Sequence, residues 1–267
     1  MKKPILKVEN LKVSFQIENQ FIEALKGISF ELFPEEIVAL VGESGSGKSV
    51  TCQAILDILP NYAKIEGNIL YNNINLKSLK ASEKRKIRGK EISMIFQEPS
   101  AVLNPLLTIG EQIVETILAH QKINEEEAKK KALEAMRNTK IPNPEQRFYQ
   151  YPHELSGGLK QRVAIAIAIS NYPKVLLADE PTTALDVTVS AHILKLFQHL
   201  KQKFKLSIFL ITHDLGIVAE IADRVLVIYR GEIVEMGNVF EIFENPKHPY
   251  TKKLLNSRPS IEKIKSR

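Results

Sequence analysis

The sequence predicts an α/β protein with a mainly parallel core sheet, an N-terminal antiparallel β subdomain and a helical subdomain. Three observations lead there. Ile37–Val41 and Val175–Ala178 are continuous apolar runs of strand length, as expected for strands covered on both faces. Strand and helix patterns alternate repeatedly around such runs, the signature of a parallel sheet with helices on both sides. A long helical stretch at about 105–171 interrupts that alternation and is expected to form a lobe of its own.

The chain has 267 residues, enough for one large domain or a domain with a lobe. Apolar residues make up 44% and charged residues 25%, the balance of a globular chain. Cys52 is the single cysteine, which excludes an intrachain disulfide and a cysteine-held metal cluster. The longest apolar runs, such as Val163 to Ile169, fall far short of the ~20 residues a membrane helix needs. Met1-Lys2-Lys3-Pro4 is followed by no apolar stretch, so no secretory leader is expected. The net charge of +6 permits anionic partners and identifies none.

Along the chain, Ile5–Val8, Leu11–Phe15 and Ile28–Leu32 read as N-terminal strands, with turns at Asn19-Gln20 and Pro34-Glu35-Glu36. A helix is expected from about Lys48 to Leu59, closed by Pro60. Ile69–Tyr71 and Ile92–Phe96 are short strands, with a charged surface helix between Ser78 and Lys90. Ile109 to Asn138 reads as helical, with i,i+4 pairs Glu125/Lys129 and Glu127/Lys131 on a solvated face. Ser156 caps a helix running to about Ser170. Then follow the strand Val175–Asp179, the helix Val187–Leu200, the strand Ser207–Ile211 and the helix Leu215–Ile221. Val225–Tyr229 and Ile233–Glu235 pair as a hairpin across Arg230-Gly231, and Thr251–Asn256 forms a last short helix.

Gly42-Glu43-Ser44-Gly45-Ser46-Gly47-Lys48-Ser49 matches the phosphate-loop pattern G-x-x-x-x-G-K-S, between a buried strand and a helix. Its glycines let the backbone turn N–H groups toward phosphate oxygens, and the helix adds a positive dipole end. Lys48 is placed for the β and γ phosphates and Ser49 for Mg²⁺. Asp179 and Glu180 end an apolar strand, where parallel sheets bind ligands; Asp179 suits Mg²⁺ and Glu180 an attacking water. His213 and Gln97 follow two other strands and are expected at the same edge, toward the γ-phosphate, the metal or the water. Ser156-Gly157-Gly158 opens a helix with two glycines in its first turn, costing ~1 kcal/mol each, which an approaching anion would explain.

Taken together, these motifs closely resemble the ATP-binding subunits of ABC transporters. Gly42 to Ser49 resembles their Walker A, Leu155 to Gln161 their signature, and Val175 to Glu180 their Walker B. Gln97 resembles the Q-loop glutamine, Ala184-Leu185-Asp186 the D-loop, and His213 the switch histidine. Phe15 falls where the family stacks an aromatic ring on adenine. The resemblance implies a P-loop NTPase fold of the ABC nucleotide-binding type over residues 1–267, with a helical subdomain at about 105–171 and a tail at 238–267. It implies ATP and Mg²⁺ as cofactors. ATP would be held by Phe15, the loop residues Gly42 to Ser49, and Val50, with Ser156, Gly157, Gly158 and Asp186 completing the site. Mg²⁺ would be met by Ser49, Gln97 and Asp179, and Glu180, His213 and Gln97 would serve hydrolysis.

The implied partners are a second nucleotide-binding subunit (self or paralogue) in a head-to-tail dimer, two transmembrane permease subunits and, indirectly, an extracytoplasmic solute-binding protein. Nucleic acid is not expected. The implied location is peripheral, on the cytoplasmic face of the plasma membrane. Ile95-Phe96-Gln97-Glu98-Pro99, Leu103-Asn104-Pro105, Tyr151 to Gly158 and the tail His248-Pro249-Tyr250-Thr251 resemble the peptide and nickel importer branch. With Cys52 alone, the cysteine-cluster extension of many peptide members is not expected. Di- or oligopeptide uptake is the leading expectation, with nickel or metal-chelate import as the alternative. Leu159-Lys160 stands where Met-Arg is frequent, and Thr183 where serine is frequent, each keeping the chemical character. A soluble ABC ATPase of repair or translation would carry a coiled-coil insertion or a second nucleotide domain. A kinase or GTPase would leave Ser156-Gly157-Gly158 and His213 unexplained. A non-enzymatic binding subunit would not need both Lys48 and Glu180.

Overall fold

The structure, a computed structural model, describes residues 3–17, 20–183 and 185–256. The elements in order are β1 Leu6–Ile17, β2 Gln20–Leu32, β3 Ile37–Val41, α1 Lys48–Ile55, β4 Ala63–Tyr71, β5 Ile74–Asn75, α2 Ala81–Ile87 and β6 Ile92–Ile95. Next come α3 Pro99–Val102, α4 Ile109–Leu118, α5 Glu125–Asn138, α6 Pro144–Arg147, α7 Gly157–Ile169, β7 Val175–Asp179 and α8 Val187–Phe204. The chain continues with β8 Ser207–Thr212, α9 Leu215–Ile221, β9 Arg224–Tyr229, β10 Glu232–Asn238, α10 Val239–Glu244 and α11 Pro249–Asn256. They fall into two units, Met1–Leu79 with Ser207–Arg267, and Lys80–Leu206.

The first unit holds an antiparallel sheet in the order β2-β1-β4-β5. The alternation breaks after Val8, so the sequence suggests two strands where the structure has one, β1, carrying a bulge. The β1–β2 and β1–β4 registers both shift there, and Asn10 takes a left-handed φ of 47°. The flanking strands make room with glycine. A Cβ at Gly67 would sit 2.2 Å from the Asn10 carbonyl oxygen, and one at Gly27 would sit 2.6 Å from Asn10 Oδ1. Of the expected turn at Asn19-Gln20, Asn19 lies outside the described residues and Gln20 opens β2. The turn at Pro34 and Glu35 is present.

The same unit holds the strands that carry the phosphate loop. β3 lies between β8 and β9, parallel to both, and β10 is antiparallel to β9. Every residue of β3 and β8 is buried, which accounts for their unbroken apolar sequences. Phe30 of β2 stacks on Phe209 of β8 with centroids 4.8 Å apart. A further cluster joins Val41, Leu215, Val225, Val227, Ile242 and Tyr250. α1 ends at Ile55, earlier than Pro60 suggested, because Asp57 turns left-handed at φ 52°.

In the second unit β6 and β7 pair in parallel. The charged stretch from 78 to 90 is helical only over α2. The stretch from 109 to 138 is two helices where one was expected, since each half has its own cap. Thr108 and Glu111 form a capping box on α4, and the Asn124 side chain accepts from the Glu127 N–H to start α5. Ile109, Ile113, Ile117, Ala132, Met136, Phe148 and Val163 pack as one core. Lys129 donates to Tyr149 Oη at 2.7 Å, and Lys131 donates to Gln121.

Gly110, in the first turn of α4, faces the Phe148 ring, and a Cβ there would lie 2.4 Å from two ring atoms. Helix propensity favours alanine over glycine by about 1 kcal/mol. The overlap reverses the sign, so Gly110→Ala is expected to lower stability by about 1–3 kcal/mol in urea denaturation. An unchanged or raised midpoint would contradict this packing.

Candidate functional site

The phosphate loop leaves β3 and returns into α1. Gly47, at φ 102°, is the N-cap of α1. A Cβ on Gly47 would lie 2.6 Å from Leu25 Cδ2 and 2.7 Å from the Ala24 carbonyl oxygen, both on β2. A Cβ on Gly42 would lie 2.2 Å from the Ile228 carbonyl oxygen of β9. Glycine is therefore required at both ends of the loop by close backbone approach as well as by any ligand. Glu43, Ser44 and Gly45 are exposed, Ser46, Gly47 and Lys48 buried, and Ser49 and Val50 half-buried.

Lys48 is only 5% exposed, and its Nζ donates to the Gly42 and Glu43 carbonyls at 3.0 Å each. A buried ammonium must be met by acceptors, and the loop supplies two. The buried Ser46 Oγ has no hydrogen-bond partner. An orphaned hydroxyl, a buried cation held by carbonyls of the loop and a curled run of peptide groups make a cradle that fits a polyphosphate. Among the described residues no group of three or more His, Cys, Asp or Glu is placed to hold a metal. Ser49, beside Lys48 at the start of α1, carries a hydroxyl of the kind that suits an Mg²⁺ sharing its ligation with phosphate oxygens.

Two other expected residues lie in the first unit. Phe15 is half-buried on β1, opposite Ile22 and Ala63, with its ring 6.1 Å from Tyr62. His213 is exposed between β8 and α9. Its neighbour Asp214 caps α9, accepting from the Gly216 N–H at 2.8 Å. The Asp214 N–H in turn donates to Thr212 Oγ1 at 3.0 Å.

The second unit carries the acidic pair and the serine-glycine helix. Asp179 closes β7 and is 4% exposed. Glu180 follows at φ 43°, a left-handed conformation that costs a β-carbon residue free energy and recurs at functional sites. Its Oε2 accepts from Thr183 Oγ1 at 3.0 Å, and the Thr183 N–H donates to the Glu180 carbonyl at 3.1 Å. The sequence marks Thr183 only as a hydroxyl-preserving replacement. The structure makes that hydroxyl the anchor of the Glu180 carboxylate, a contact that becomes legible once the 180–183 turn is seen.

Ser156 has N-cap backbone angles, yet its exposed side chain makes no cap hydrogen bond. The two glycines after it differ. A Cβ on Gly157 would make only ordinary contact, 3.7 Å from Leu185, while one on Gly158 would lie 2.8 Å from Val189 Cγ1 of α8. Packing of α7 on α8 thus explains Gly158, where the sequence pointed to an anion alone. Asp186 caps α8, accepting from the Val189 N–H at 2.8 Å, and Ala184 of the same motif lies outside the described residues. Gln97 is exposed two residues beyond β6.

A profile of the ABC transporter family matches residues 25–183, and one described as the oligopeptide/dipeptide transporter C-terminal region matches residues 234–267. The chain is 51% identical over 261 residues to the oligopeptide transport ATP-binding protein OppD of Bacillus subtilis, covering 97% of this chain and 73% of that one. The chain belongs to the ABC transporter family. It is an ATP-binding ATPase of that family. The dipeptide transport ATP-binding protein DppD of Lactococcus lactis is 48% identical over 260 residues, covering 97% and 74% of the two chains. Among solved structures, a dimeric ATP-binding cassette in a post-hydrolysis state with ADP and Pi matches at a TM-score of 0.78 and 30% identity. That match covers 88% of this chain and 98% of the other. The expected α/β cassette, with its antiparallel and mostly parallel sheets, is thus the fold observed.

The ATPase should be sensitive to the Thr183 hydroxyl. Thr183→Val keeps the shape and removes the donor to Glu180, so kcat is expected to fall about 3- to 10-fold with KM for ATP little changed. Steady-state phosphate release measures this, and a wild-type kcat would deny Thr183 its positioning role.

Proposed function

We propose that this ATPase powers an ABC importer of di- or oligopeptides, working at the cytoplasmic face of the plasma membrane beneath two permease subunits. The observation that carries the peptide reading is the match of residues 234–267 to the oligopeptide/dipeptide transporter C-terminal region. Relatives named for oligopeptide and dipeptide transport, about half identical over nearly the whole chain, support it over nickel import. Among the described residues, no helix is long and apolar enough to cross a membrane. Entry of a peptide into cells would be served by a solute-binding protein outside and would reach this chain only through the permeases.

In this reading, Lys48 leaves the Gly42 and Glu43 carbonyls for phosphate oxygens when ATP arrives, the ammonium exchanging one set of acceptors for a charged one. Ser46 Oγ gains the partner it lacks, and Val50 and the loop N–H groups from Ser44 to Ser49 line the polyphosphate. Phe15 offers an aromatic face to the adenine. Ser49, Gln97 and Asp179 would hold Mg²⁺, which when bound neutralises charge on the phosphate oxygens. Glu180, held by Thr183, accepts a proton from the attacking water, and His213 donates to the γ-phosphate. Ser156, Gly157 and Gly158 would reach the ATP of a second nucleotide-binding subunit in a head-to-tail dimer, with Asp186 at the junction. The unused cap hydroxyl of Ser156 favours that role, since a helix start ordinarily satisfies its own N–H groups with it.

Glu180→Gln removes the base and keeps the shape. It is expected to bind ATP, lose at least about 100-fold in kcat, and accumulate as an ATP-bound dimer in size-exclusion chromatography. A variant that stays monomeric with ATP would contradict the dimeric site. For the cargo, cells lacking this chain should lose uptake of a radiolabelled tripeptide and keep uptake of labelled nickel. The opposite pattern would replace the peptide reading.

A further inference from the structure

The His248-Pro249-Tyr250-Thr251 segment takes no part in the roles above, yet its tyrosine reaches the phosphate loop. Tyr250 is 7% exposed, and its Oη accepts a hydrogen bond of 3.0 Å from the Glu43 N–H. That N–H belongs to the same peptide group as the Gly42 carbonyl, which accepts from Lys48 Nζ at 3.0 Å. A peptide group is planar, so this one is gripped at both ends, by Lys48 on its oxygen and Tyr250 on its nitrogen. Rotating the plane to suit one partner would break the bond to the other.

We propose that Tyr250 is a positioning residue for nucleotide binding. Its hydroxyl fixes the Gly42–Glu43 peptide and, through that peptide, the place where the Lys48 ammonium waits for phosphate. The proposal rests on the reading of Lys48 as a phosphate ligand. It also divides the loop's donors. The Glu43 N–H is committed to Tyr250 and the Ser46 N–H donates to the Glu43 carbonyl at 3.3 Å, so the Glu43 N–H is not among the donors offered to the ligand.

The tyrosine is itself held on several sides. Its ring stacks on Tyr229 of β9 with centroids 4.1 Å apart. Its N–H donates to His248 Nδ1 at 3.2 Å. The Glu235 carboxylate of β10 accepts from the Lys247 N–H at 2.7 Å and the His248 N–H at 3.0 Å, tying the start of α11 to the hairpin. The hairpin touches the loop as well, where the Gly231 N–H donates to the Ser46 carbonyl at 3.1 Å. Three residues of the segment then have a task. His248 accepts from the helix start, Pro249 opens α11 where an N–H would be unpaired, and Tyr250 spans to the loop. Burial pushes the phenol above its ordinary value, so the hydroxyl stays neutral at physiological pH.

Tyr250→Phe keeps the ring and its stack and deletes one hydroxyl. Fluorescent-ATP titration of the purified chain is expected to show Kd raised about 3- to 10-fold, with KM following it and kcat at saturating ATP within about twofold. Hydrogen exchange should show the Glu43 amide losing protection in the nucleotide-free variant. Glu43→Pro deletes the same bond from the donor side, so adding Tyr250→Phe to it should change Kd no further. A wild-type Kd in folded Tyr250→Phe, or an equal further loss in the Glu43→Pro background, overturns the proposal. A lowered Tm with unchanged Kd does so too, and makes Tyr250 a packing residue only. If Glu43→Pro fails to fold, unchanged Glu43 amide protection in Tyr250→Phe still overturns it. Lys48→Ala, titrated alongside, is expected to weaken binding by at least about tenfold. An unchanged Kd there removes the phosphate-ligand reading itself and is distinguishable from a failure at Tyr250.

Discussion

Space for a Cβ is missing at both ends of the phosphate loop, and much of the first unit is arranged around that fact. Gly42 lies against the Ile228 carbonyl of β9, and Gly47 against Ala24 and Leu25 of β2. The loop is therefore wedged between an edge of the antiparallel sheet and a strand of the parallel one. A loop pressed so close to backbone on two sides has little freedom to collapse when no ligand is present. Its cation is buried with it and must be satisfied internally, which the Gly42 and Glu43 carbonyls do. The resulting arrangement is preorganised, and binding then costs less in ordering the receptor.

The second unit stores a different kind of order. Glu180 sits in a left-handed conformation that most residues avoid, and a short turn with two hydrogen bonds to Thr183 holds it there. Such strain persists only where neighbours over-determine the backbone, and it aims a carboxylate that an extended strand end would point elsewhere. α7 shows the complementary economy. Gly158 is spent on packing against Val189, while the Ser156 hydroxyl and the open face of Gly157 are left unused within the unit.

The strand-helix alternation, the buried runs of β3, β7 and β8, and the glycine loop before α1 were all legible in the residue order. Each is a local signal: apolar continuity needs only nearest neighbours, and the G-x-x-x-x-G-K-S spacing is contiguous. Errors gathered where a local signal was ambiguous. The alternation break in β1 looked like a strand end because a bulge and a turn disturb the period in the same way. The 109–138 stretch looked like one helix because apolar spacing continues through the gap, and only the cap at Asn124 divides it.

From the residues alone came the phosphate loop, the strand-end acids, the serine-glycine helix start and the kind of nucleotide chemistry they serve. The tertiary structure alone decided why Gly158 is glycine and that Tyr250 meets the Glu43 N–H from 207 positions away. Motifs are short because phosphate contacts come from consecutive peptide groups. The supports of those contacts arrive from distant segments, and no spacing rule in one sequence encodes which segments the packed core will bring together.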